Sequence, residues 1–256
     1  MSSPAPATKD RARPVPPPLR LDSAPWPDIA AVAAHSLLAV PLGATEQHGP
    51  HLPFTVDTDI AVALCERLAL SRPAVILAPP VPYGSSGEHA GFPGTLSIGR
   101  AAMEVLLVEL VRSADDFAGV VLVCAHGGNA EPVRRATEQL RAEGRNVLSW
   151  LPTGDPADSH AGHQETSAVL ALRPGTVRGD RAEPGCTRPL RDLMPTLRRS
   201  GLRAVTPNGV LGDPTRASAS DGHRLLGTWA QSLQSAVHAW AGPVTHARTP
   251  QPRAVR

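Results

Sequence analysis

Four short apolar runs constrain this chain more than any other feature. LLAVPL (37–42), AVILAPPV (74–81), GVVLVCA (119–125) and VLSWL (147–151) contain almost no polar side chains. A strand buried on both faces reads this way, whereas a strand wet on one face alternates. Segments with helical spacing lie between them, over 58–70, 98–117 and 129–144, with two more around 164–172 and 221–241. Buried strands alternating with helices predict an α/β fold of three layers, αβα, around a mostly parallel central sheet.

At 256 residues the chain can bury one large core, and a single domain is expected over 23–242. The flanks, 1–22 and 243–256, are rich in proline and basic residues and are expected to be disordered arms. Charge is nearly balanced, 25 Lys+Arg against 23 Asp+Glu, which gives no reason to expect a nucleic-acid partner. No run of 18 apolar residues suggests a membrane span, and the first residues lack the apolar core of a signal peptide. A cytoplasmic protein is expected. Cys65, Cys124 and Cys186 are too few and too scattered for a disulfide framework or a cysteine zinc site.

Ligands of parallel sheets sit beyond the carboxyl ends of the strands. GATEQHGPHLPFTVDTD (43–59) follows the first apolar run, PYGSSGEHAGFPGTLS (82–97) the second, AHGGN (125–129) the third and DSHAGHQETS (158–167) the fourth. The polar chemistry therefore gathers on one edge. Glu, His and Asp are ligands that Zn, Mn and Fe accept. Glu46 and His48 lie two residues apart and point the same way in an extended segment.

Each of these residues also has a purely structural reading. Asp57 can bridge two ions through its two oxygens, or cap a helix together with Asp59. His126 is a ligand, or belongs to a turn in which Gly127 and Gly128 bend the chain and Asn129 caps the next helix. Glu165 is a ligand or complements a helix dipole. His160 is a ligand, a general acid or base, or an exposed imidazole. Ser86 and Glu88 cap their loop or touch substrate, and His51 and His89 orient a neighbour. No G-x-S-x-G elbow follows a strand, which sets a serine hydrolase aside.

Taken in order, EQHGPHLP, TVDTD, PYGSSGEHAGFPGTLS, HGGN, HAGHQETS and the late NGVLGDPT resemble the creatininase family of metal-dependent amidohydrolases over about residues 37–240. The resemblance implies two divalent metal ions per subunit, zinc with Fe(II) or Mn(II). It implies Glu46, Asp57 and His126 at one position and His48 with the same Asp57 at the other. It also implies His160 as a catalytic residue, and a homo-oligomer. Creatininase itself has a Glu two positions after the strand-end His, where this chain has Gly128, and Glu165 is the expected substitute. Ser86, Glu88 and Gly127 are expected to touch substrate.

Within the family, SGLRAVTPNGVLGDPTRASASDGHRLL most resembles the mycofactocin branch. That implies a peptidase acting on a modified precursor peptide and releasing its Val-Tyr-derived C-terminal unit. The small residues Gly127, Gly128, Pro156 and Ala157 suggest room for such a tail. The alternatives are an amidohydrolase of a small cyclic amide or formamide, and a non-catalytic metal-binding assembly protein.

Overall fold

A computed structural model describes residues 17–241. Its sheet has four strands: β1 (Leu37–Leu42), β2 (Val75–Leu77), β3 (Gly119–Cys124) and β4 (Val147–Trp150), in the order β2-β1-β3-β4. Every pairing is parallel, with Leu37 opposite both Val75 and Gly119, and Val120 opposite Val147. The expected mostly parallel sheet is wholly parallel among the described residues.

Among the described residues seven α-helices accompany the sheet: α1 (Trp26–Ala30), α2 (Val56–Ser71), α3 (Arg100–Arg112), α4 (Ala130–Ala142), α5 (His163–Leu172), α6 (Leu190–Ser200) and α7 (Ala219–Ala241). Successive side chains of a strand point to opposite faces, and two cores follow. Leu37, Ala39, Val121 and Val123 pack with α2, α5 and α7 on one face. Leu38, Val40, Leu42, Val120, Leu122 and Cys124 pack with α3 and α4 on the other. Right-handed crossovers require this division, because the connection from β1 to β2 runs one way across the sheet and those to β3 and β4 run the other. The chain reverses direction between β1 and β3, so the crevice beyond their carboxyl ends is where a ligand is expected.

Three sequence expectations need correction. The second apolar run is a regular strand only over Val75–Leu77; Pro79 and Pro80, which have no N–H to donate, interrupt it before Val81 donates to the Pro41 carbonyl and pairs again with β1. The N-terminal arm does not extend to residue 22: Leu77 donates to the Leu19 carbonyl and Leu21 donates to the Leu77 carbonyl, which joins 19–21 to the edge of the sheet. Residues 1–16 and the expected tail at 243–256 lie outside the described residues. Helices α1 and α6 were not expected. α6 packs Leu193 and Leu197 against Leu202 and Leu211 in a small core of its own.

Candidate metal centre

Four connections after strands bring the site together. Glu46 and His48 stand in the loop after β1, Asp57 in the first turn of α2, and His126 two residues beyond β3. His160 ends the long loop after β4, and Glu165 lies in the first turn of α5. Glu46, His48 and Asp57 are each at most 1% exposed. Burying carboxylates is costly unless they are paired. Every ion pair that Glu46, Asp57 and Glu165 make is with a histidine.

Asp57 is shared between two groups of side chains. Its Oδ2 lies 3.3 Å from His126 Nδ1, which is also 3.3 Å from Glu46 Oε1. Its Oδ1 lies 3.4 Å from His48 Nε2, which is 3.6 Å from Glu165 Oε2. These separations are long for hydrogen bonds. Two ligands about 2.0–2.1 Å from one ion at a tetrahedral angle stand about 3.3–3.4 Å apart. Glu46 Oε2, His48 Nε2 and Asp57 Oδ2 are buried and accept or donate no hydrogen bond. The donor set fits divalent cations.

The histidine rings point the same way chemically. His126 Nε2 lies 3.0 Å from the Ser85 carbonyl and His48 Nδ1 lies 3.1 Å from the Glu46 carbonyl. A carbonyl only accepts, so each ring donates there, and its other nitrogen faces the carboxylates, with a lone pair to offer once the ring is neutral. Metal-ligating histidines are held in this way. Burial alone would lower the pKa of His48, yet Asp57, Glu165 and Glu46 raise it to about 10. Burial also opposes charge on His126, and Glu46 and Asp57 outweigh it to hold the pKa well above the ordinary value. Burial dominates at Glu165 and lifts its carboxyl to about 7.

These directions give a prediction. Both rings are protonated at neutral pH in the metal-free protein, and a ligand must be neutral. His48 contributes stability fully present below about pH 6.5 and lost as pH rises through about 10. Zinc binding at pH 7.5 should release roughly two protons, with affinity rising with pH through the neutral range. Calorimetry in buffers of different ionisation enthalpy reads this number; no release would remove His48 and His126 from the ligand set.

His160 and His89 complete the cluster. His160 Nδ1 is 3.6 Å from Glu46 Oε1 and 4.0 Å from Glu165 Oε2, while His89 Nε2 is 3.5 Å from the same Glu46 oxygen. Ligand atoms within 4.8 Å of one another also form the sets Glu46/His89/His160 and His48/His160/Glu165. Ala161 follows His160 with φ 53°, a left-handed conformation uncommon for a residue with a Cβ, and donates its N–H to Glu165 Oε2 at 2.6 Å. His51 stands behind the site, with Nε2 2.9 Å from the Thr166 hydroxyl.

Glu46, Asp57, His126, His160 and Glu165 line a cavity of about 770 Å³ whose wall also includes Ser85, Glu88, His89, Gly127 and the α6 residues Met194, Leu197, Arg198 and Arg199. Glu88 and Gly127 are among the residues that line it. Ser86 does not line it: it is fully buried, with its hydroxyl 3.4 Å from His126 Nε2. The expected roominess also needs correction. Of Gly127 and Gly128, an added Cβ would meet open space only at Gly127. One on Gly128 would meet the Ser85 carbonyl, the His126 ring and the Glu88 carboxylate, so that glycine is required by close packing. Pro156 and Ala157 lie off the cavity, where the Pro156 carbonyl accepts from Leu190 at the start of α6. Asn129 makes no capping bond. Its side chain accepts from Ser85 N and donates to the Gly43 carbonyl, tying two site loops together.

A family model described as "Creatininase: Creatinine amidohydrolase" matches residues 22–237. The chain belongs to the creatininase family. It is therefore one of the hydrolases that act on C–N bonds. A Mycobacterium ulcerans protein named mycofactocin precursor peptide peptidase is 46% identical over 85% of this chain and 88% of its own length. Creatinine amidohydrolase from Pseudomonas putida is 30% identical over 83% of this chain and 93% of its own length. The solved structure titled "Creatininase Mn" superposes with a TM-score of 0.76 at 27% identity, covering 88% of this chain and all of that one.

Gln47 is the residue the sequence reading missed. Its side chain is buried among His89, His160 and Gly209. The only sequence signal was its place inside EQH.

Proposed function

We propose that this creatininase-family hydrolase is the peptidase that releases the modified Val-Tyr-derived C-terminal unit of the mycofactocin precursor peptide. The relatives named for that peptide support the reading. The observation that carries it is the cavity: about 770 Å³, lined by Gly127 and walled by α6, a volume suited to a drug-sized segment more than to a compact ring. Glu46, Asp57 and His126 would hold one divalent ion, and His48, Asp57 and Glu165 a second. The mixed oxygen and imidazole donors suit zinc at one position and Mn(II) or Fe(II) at the other. Such ions acidify water and polarise a carbonyl.

Hydrolysis puts the oxygen of water on the carbonyl carbon and a proton on the leaving nitrogen. His160 suits the proton transfers. Burial, with His48 and His89 beside it, holds its pKa well below the ordinary value, so the ring is neutral and Nδ1 faces the carboxylates. His160 first takes a proton and then delivers it to nitrogen. Assembly as a homo-oligomer is supported by exposed Leu96, Ile98, Val105, Leu106 and Leu110 on and before α3. A cytoplasmic setting is supported by the free state of Cys65, Cys124 and Cys186. No helix among the described residues is long and apolar enough to cross a membrane.

The test offers purified enzyme the modified peptide and creatinine under the same metal conditions. Cleavage of the peptide, abolished by a chelator and restored by divalent metal, is expected, with little or no turnover of creatinine. Rapid creatinine turnover beside an intact peptide would favour the small cyclic amide.

A further inference from the structure

His89 and His160 point one nitrogen each at the same oxygen, Glu46 Oε1, at 3.5 and 3.6 Å. Their chemistry there depends on which nitrogen of each ring carries the proton, and Gln47 decides that. The backbone N–H of Gly49 donates to Gln47 Oε1 at 2.8 Å, which fixes the amide oxygen. On the other side of the amide, Gln47 Nε2 lies 3.1 Å from the Gly209 carbonyl, which only accepts. A Cβ on Gly209, whose φ is +78°, would collide with the Gln47 side chain, so this close approach needs glycine. One amide hydrogen is therefore committed to Gly209.

The second amide hydrogen has two candidate partners, His89 Nδ1 at 3.0 Å and His160 Nε2 at 3.1 Å. His160 Nε2 is also 2.8 Å from the Gln47 carbonyl oxygen. Two lone pairs would face each other there unless His160 carries its proton on Nε2. The second amide hydrogen thus goes to His89 Nδ1, which must accept. A neutral His89 then carries its own proton on Nε2.

We infer that Gln47 assigns the two histidines opposite roles, so that His89 offers the cavity an N–H and His160 a lone pair. His89 is then a hydrogen-bond donor of the active site and not a ligand in the Glu46/His89/His160 set. Gln47 is a positioning residue acting through both rings. An N–H in the wall of a buried cavity suits a substrate carbonyl or the oxygen on which charge develops as that carbonyl is attacked. The inference rests on reading this cavity as the hydrolytic site.

The test is nitrogen-15 NMR of histidine-labelled protein without metal and then with zinc added. His89 and His160 should both show the proton on Nε2, and His48 the proton on Nδ1 once zinc is bound. Zinc should move the signals of His48 and His126 strongly and leave the His89 Nε2–H in place. In Gln47→Glu the carboxylate accepts from His89, and the His89 proton should move to Nδ1. His89→Ala should keep its full metal content while kcat falls roughly 10²–10³-fold, the usual worth of one such donor. A proton on His89 Nδ1 in the unaltered protein, or loss of a metal from His89→Ala, would overturn the inference, and the first needs no variant to fold. If zinc moves no histidine while His89 still carries its proton on Nε2, the metal reading fails and the role of Gln47 stands.

Discussion

Asp57→Ala is expected to leave the protein with neither metal ion and with hydrolysis at the detection limit. The reason is geometric. Asp57 Oδ2 faces His126 Nδ1 at 3.3 Å and its Oδ1 faces His48 Nε2 at 3.4 Å, so one carboxylate serves both proposed positions. Glu46→Gln or Glu165→Gln alters one set only and should leave close to half the metal. Without metal to acidify water by roughly nine pK units, a loss of ~10⁴-fold or more in kcat is expected. Asp57→Asn serves as the folding control, since it keeps the side-chain shape in the first turn of α2 while giving up the charge that pairs with His48 and His126. Metal analysis with circular dichroism checks the result. A folded Asp57→Asn that retains both ions would remove Asp57 from its shared place.

How far the sequence could be read depended on how local each signal was. LLAVPL and GVVLVCA are continuous apolar runs, and β1 and β3 fall within a residue of where those runs place them. Alternate burial on two faces leaves no other reading of such a stretch. α6 was not expected, although Leu190, Leu193, Met194 and Leu197 follow helical spacing and pack together. Pro195 stands in its middle, where a proline removes a helical hydrogen bond. The proline is exposed, and the helix covers the cavity instead of the sheet. Glu46, His48, Asp57 and His126 were found by residue type and by their position after strands. Gln47 and His89 were harder, because their roles exist only where the loops of residues 47, 89, 160 and 209 meet. An amide of no charge gives no advance notice of that. The small residues misled in the opposite way: Gly128 reads as free space in a sequence, but its neighbours occupy the place of its missing side chain.

His160→Ala is the variant in which metal binding and turnover should separate. The ring turns Nδ1 toward Glu46 and Glu165, at 3.6 and 4.0 Å, and its Nε2–H is held by the Gln47 carbonyl at 2.8 Å. Both contacts to the carboxylates are longer than those His48 and His126 make to Asp57. The two proposed ligand sets are complete without it. Metal content should therefore stay near normal, while the rate falls roughly 10²–10⁴-fold, the range for removal of a positioned acid or base. His160 is packed between His48 and His89, with ring centroids 4.3 and 4.6 Å away, so some stability will go as well. His160→Gln limits that loss, because its amide can still donate to the Gln47 carbonyl, yet it cannot carry a proton to nitrogen. The two variants should thus be equally slow and unequally stable. In the unaltered enzyme the rate should fall on the acid side as His160 becomes protonated and can no longer accept a proton, and this limb should vanish in both variants. Loss of one equivalent of metal from His160→Ala would make the imidazole a ligand of the His48/His160/Glu165 set and leave the proton to another group.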